Sequence, residues 1–142
     1  MNRGQTTATQ KHIASKSILT FQLIGALIVI GITAHLGNVD NKVYSEIPAT
    51  LCLLLVGCAH FFLSFFILTT ACTTNKIYDS NLVYVHGAVF FCLLFATGVA
   101  GLVKGGDYTE KKLTAAGAIA VISAFTSLAW CAASNYETKR SS

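Results

Sequence analysis

Charge is absent from four long stretches of this chain, and that absence constrains the fold more than any other feature. None of the sixteen Asp, Glu, Lys and Arg residues lies in 18–37, 47–72, 82–103 or 113–134. These windows are 20, 26, 22 and 22 residues long and hold 90 of the 142 residues. A helix needs about 20 apolar residues to cross the hydrocarbon core of a bilayer, so each window is long enough to span. An ordinary soluble enzyme is excluded by composition. The chain is 54% hydrophobic and only 11% charged, and so small a body cannot bury that much apolar surface from water. The windows do not alternate polar and apolar residues, which argues against a barrel. Backbone groups in lipid must therefore pair within each segment, as in helices. The expected fold is all-α: an integral membrane antiparallel four-helix bundle over 18–134, between mobile tails at 1–17 and 135–142.

The aromatic residues agree with this division independently of charge. All nine phenylalanines lie inside the windows, while Trp130 and the tyrosines Tyr44, Tyr78, Tyr84, Tyr108 and Tyr136 lie at or beyond window ends. Amphipathic rings prefer the headgroup level, so Trp130 is expected there. Pro48, the only proline, falls in the first turn of the second window, where its missing N–H costs nothing. The first window follows a basic leader (Arg3, Lys11, Lys16) and runs longer than a cleaved signal core, so it reads as a signal anchor.

An even number of spans puts both termini on one side. The amino segment, Lys76, Lys139 and Arg140 together carry six basic residues, against four (Lys42, Lys104, Lys111, Lys112) in the other two connections. The positive-inside rule then makes the termini cytoplasmic. The connections 38–46, 73–81 and 104–112 are each nine residues long, and nine extended residues reach about 30 Å at most. They can cap the helices but cannot fold into a ligand-binding domain. Gly105 and Gly106 read as a turn in the last of them. The net charge of +4 suits an anionic leaflet and gives no sign of nucleic acid.

The fourth window carries the clearest packing pattern. Ala116, Ala120, Ser123, Ser127, Cys131 and Ser134 recur at helical spacing and share one face. Small residues let helices approach closely in lipid. The stripe reads as packing within the bundle, or alternatively as a homo-oligomer face. Ala96, Ala100 and Gly101 offer a matching edge on the third window, and the second is bulky, with Phe61, Phe62, Phe65 and Phe66.

Candidate chemistry is sparse. The five cysteines form no CxxC or CxxxC pair, so no zinc or thioredoxin-like motif is present. Cys72 and Cys131, near window ends on the terminal side, are candidate palmitoylation sites. His60 is the polar residue nearest mid-span and is flagged as intramembrane and ionisable. His35, His60 and His86 all fall in windows, and paired histidines can hold haem. With the window ends level, however, His60 lies on the order of 10 Å in depth from either of the others, so no pair is matched and no cofactor is expected. No charged group sits at membrane depth for an ion pathway, and no catalytic set or phosphate-binding glycine loop appears. The chain is not expected to be an enzyme.

Four spans over nearly the whole chain, short ends, short connections and a weakly polar interior resemble the MARVEL/physin type of tetraspan protein. Claudins differ, because the first outer connection (Asn38 to Glu46) lacks a tryptophan and a cysteine pair. Tetraspanins and connexins differ in their cysteine-bearing outer loops. The MARVEL-like resemblance implies work at membrane appositions: vesicle trafficking or fusion, cell junction assembly, or cell–cell fusion. Its implied partners are membrane lipids, other integral membrane proteins or the chain itself, in a plasma or vesicle membrane. Two other functions fit less of the sequence: an accessory subunit of a larger channel or respiratory complex, and a haem-binding electron carrier.

Overall fold

The computed structural model describes residues 13–40, 42–74, 80–107 and 110–141. Arg3, Lys11, Lys76, Tyr78 and Tyr108 lie outside them. The described residues form five helices: α1 (Ile13–Val39), α2 (Val43–Glu46), α3 (Pro48–Thr74), α4 (Ser80–Asp107) and α5 (Lys111–Ser141). No strand occurs among them. Four helices are long and apolar enough to cross a membrane, over Ser15–Val39, Pro48–Thr70, Tyr84–Asp107 and Lys111–Tyr136.

Helix ends differ from the charge-free windows because charge marks a change of polarity along the chain, not where hydrogen bonding stops. α1 begins within the stretch expected as a tail, and α5 runs to Ser141 through most of the other. The turn expected at Gly105 and Gly106 is the last turn of α4. Gly105 O accepts from Glu110 N at 2.8 Å, which closes that helix. Glu110 then starts α5: its carboxylate accepts from Lys112 N at 3.3 Å and its carbonyl from Thr114 N at 3.1 Å, an N-cap arrangement with a favourable charge at the helix start. Pro48 is the first residue of α3. Before it, Asp40 Oδ1 accepts from Lys42 N at 3.0 Å and starts α2, a turn absent from the sequence reading. Tyr44 on α2 donates its hydroxyl to Thr33 O at 3.0 Å, laying its ring over Gly37, where any side chain would overlap it.

Around the assembly α1 packs on α3 and α5, while α4 packs on α5 and α3. The α4–α5 contact is the most extensive, and glycine makes it possible. A Cβ on Gly98 would lie 2.9 Å from Gly117 O, and one on Gly117 would lie 2.6 Å from Gly98 O and 2.7 Å from Leu102 N. Gly105 meets Thr114, and Gly87 meets Cys131. As the α4 number rises, its α5 partner's number falls. Gly101 is buried, but Ala96 is exposed, so the α4 edge is built from glycines and not from the alanine series Ala96–Ala100. The reason is distance: at the closest crossing even a methyl group would overlap backbone.

The stripe on α5 lies within the chain. Ala116, Ala120 and Ser127 are fully buried, Ser123 and Ser134 nearly so, and Cys131 is half-buried. Ala116, Ala120 and Ala124 pack with Leu53, Leu94 and Leu113 in one core, and Leu19, Ile67 and Trp130 form a second. Gly117→Ala should lower stability by about 1–3 kcal/mol, because the added methyl meets backbone that cannot rotate away. Gly106→Ala, which would meet nothing within 4 Å, should be neutral or stabilising by up to about 1 kcal/mol. Thermal or SDS unfolding in micelles checks both.

Candidate functional site

The polar residues that the long helices bury lie mostly between α1, α3, α4 and α5 toward the chain-terminal side. Gln22 on α1 donates to Ser127 Oγ on α5 at 3.1 Å, and Ser15 and Ser134 meet through their hydroxyls at 3.2 Å. Gly25 faces Ser123 one turn further on. These pairs join α1 to the small stripe of α5. Sequence reasoning passed over Gln22, although it is a large amide among apolar residues and is only 1% exposed.

The densest polar cluster sits where α3, α4 and α5 meet. His60 and Ser64 are one turn apart on α3, so they share a face; His86 and Phe90 do the same on α4. Ser64 Oγ and His86 Nε2 are 3.2 Å apart. The His60 and His86 ring centroids are 5.6 Å apart, and Phe90 packs on both, at 5.0 and 5.3 Å. Trp130 of α5 lies edge-on to His86 at 4.7 Å. Both histidines, Ser64 and Trp130 are completely buried.

One expectation is corrected here. Level helix ends would put His60 and His86 on the order of 10 Å apart in depth. α3 and α4 are instead staggered so that His60 stands beside Phe90 and Ser64 beside His86. The two imidazoles are then about one turn apart along the helices, a gap the side chains close. Trp130 is fully buried between the helices, a core residue against Leu19 and Ile67.

The cluster's hydrogen bonding is incomplete within the chain. His60 Nδ1 and Nε2, His86 Nδ1 and Trp130 Nε1 are buried without a partner, and the other two such atoms among the described residues are Gln22 Oε1 and Thr50 Oγ1. Each unmet buried polar atom costs about 1–3 kcal/mol, so four at one place is a concentrated destabilisation. Three imidazole nitrogens and an indole N–H can engage a small polar or cationic species. A macrocycle is a poorer fit, because Phe90 fills the angle between the imidazoles. No group of three or more His, Cys, Asp or Glu that could hold a metal occurs among the described residues.

The remaining flagged residues lie apart from this cluster. Cys72 is exposed near the end of α3. Cys131 packs against Gly87 and receives a weak contact from Asn135 Nδ2 at 3.9 Å. His35 is exposed and pairs with Lys112 Nζ at 3.2 Å. No family model matches the chain, and no curated protein or solved structure matches it either.

Trp130 is the only tryptophan, so its fluorescence reports this cluster alone. Emission should be blue-shifted and resist quenching by aqueous iodide and by lipids brominated along the acyl chain. Strong quenching by lipids brominated near the headgroup would place the ring at the interface and contradict its burial between helices.

Proposed function

We propose that this chain is a multi-pass integral membrane protein, an antiparallel four-helix bundle with cytoplasmic termini, and that it organises membrane where vesicles or cells meet. It acts without catalysis, by lateral association with lipids, with other integral membrane proteins or with itself. The observation that carries the reading is where the bulky apolar side chains face. Phe21 on α1, Phe62 and Phe66 on α3, and Ile122 and Phe125 on α5 are each more than half exposed, while Gln22, His60, Ser64 and His86 are inside. In water such a surface would drive aggregation; among acyl chains it is the ordinary exterior.

The connections support action through the sides of the bundle. Only residues 108–110 join α4 to α5, and the segment between α1 and α3 is taken up by α2. Neither leaves room for a ligand-binding domain. The basic bias toward the termini favours their cytoplasmic placement, and the span lengths suit the plasma membrane or a vesicle membrane. Acylation of Cys72 would add a second lipid contact at the cytoplasmic interface. The MARVEL/physin resemblance adds the setting: vesicle trafficking or fusion, junction assembly, or cell–cell fusion.

The protein should remain in the membrane pellet after alkaline carbonate washing. A tagged copy should concentrate at vesicles or cell contacts in native tissue, and deletion should alter their morphology. Ion flux or substrate turnover by the purified protein in liposomes would overturn the organiser reading. Co-purification in fixed stoichiometry with one large membrane complex would replace it with that of an accessory subunit.

A further inference from the structure

We propose that His60 and His86 form a two-coordinate site for a soft monovalent transition-metal ion, copper(I), at the meeting of α3, α4 and α5. The site is a binding capacity distinct from membrane organisation and does not depend on it.

The ligands are presented as a metal requires. A neutral imidazole carries one N–H and one lone-pair nitrogen. When His86 donates Nε2–H to Ser64 Oγ, across the observed 3.2 Å, its lone pair sits on Nδ1, which has no partner within the chain. A ligating histidine held through its other nitrogen is the usual arrangement around protein-bound metals. Both nitrogens of His60 are without a partner among the described residues, so either can ligate. Metal–nitrogen bonds of about 2 Å put two opposed ligating nitrogens about 4 Å apart, a spacing that rings 5.6 Å apart at their centroids can present.

Ligand number and charge select the ion. Structural zinc takes four ligands, and calcium and magnesium take oxygen. No third His, Cys, Asp or Glu joins this pair among the described residues. The buried polar side chains include no carboxylate, so a dication would bring two uncompensated charges into an apolar interior. Copper(I) is stable with two ligands, accepts imidazole and brings a single charge. Phe90 and Trp130, packed against the imidazoles, surround the pair with apolar ring surface that excludes water.

The five free cysteines would bind the same ion, so the test uses the full chain with all five changed to alanine, beside the unaltered chain, in detergent without oxygen. Copper(I) is supplied as its bicinchoninate complex. The cysteine-free chain should withdraw one ion per chain, with Trp130 emission falling in step, and X-ray absorption should show two nitrogen neighbours. His60→Leu and His86→Leu should abolish both signals. Ser64→Ala should weaken binding about tenfold to a hundredfold with helical circular dichroism unchanged. If neither chain's Trp130 emission responds and the cysteine-free chain withdraws no copper, the proposal fails and the cluster is a water-bridged polar contact. Withdrawal that persists in both leucine variants also overturns it, by placing the ion elsewhere. Should the leucine variants not fold, the absorption spectrum and Ser64→Ala decide.

Discussion

The contact on which the rest depends is the one between Gly98 and Gly117, where α4 and α5 approach until a Cβ on Gly117 would lie 2.6 Å from the opposite carbonyl. In the proposed membrane setting, helices surrounded by acyl chains gain nothing from hiding apolar side chains from each other's solvent. Attraction has to come from close packing, and dispersion falls steeply with distance. Glycine at the crossing removes the spacer that every other residue would insert. The approach continues to Gly105 against Thr114 and to Gly87 against Cys131. α4 and α5 thus make a closely packed pair on which α1 and α3 are laid.

α1 and α3 share the apolar core with that pair, through Val29 and Leu53 and through Leu19 and Ile67, and add polar contacts of their own. α1 meets α5 through Gln22 with Ser127 and Ser15 with Ser134, and α3 meets α4 through Ser64 with His86. Directional contacts of this sort are worth little in water, where each partner could bond solvent instead, and more where the alternative is an unmet polar group in an apolar medium. They also fix register. A one-turn slip of α3 along α4 would carry Ser64 away from His86, whereas a purely apolar seam would tolerate the slip. The stagger that brings the two histidines together is therefore specified by the groups that benefit from it.

Legibility in the sequence followed cost. The four long helices were readable because each is built on a long run free of charge, so the sixteen charges fall near their ends and between them. The small face of α5 was readable because helical spacing fixes which residues share a side. Relations between helices were not readable, since nothing in one span states its stagger against the next. That is why His60 and His86 looked too far apart and why Ala96 stood in for the glycine edge. That Trp130 faces Leu19, Ile67 and His86 inside the bundle was not readable either, since position along a helix does not say which neighbour a ring will meet. α2 escaped notice because four residues carry no periodic signal.

The interior is consequently uneven along its length. Toward the α4–α5 connection the core is mainly Leu53, Leu94, Leu113, Ala116 and Ala120, with Thr33 and Thr50 its buried polar side chains. Toward the chain termini it holds Gln22, His60, Ser64, His86, Ser127, Ser134 and Trp130. If the polar half served packing alone, leucine and alanine at those places would pack as well and leave no unmet nitrogens. The tight half already supplies the rigidity such a small assembly needs. A polar half that leaves five of its donors and acceptors without partners among the described residues fits a role beyond packing, and the imidazole pair is the part of it with the chemistry to select a ligand.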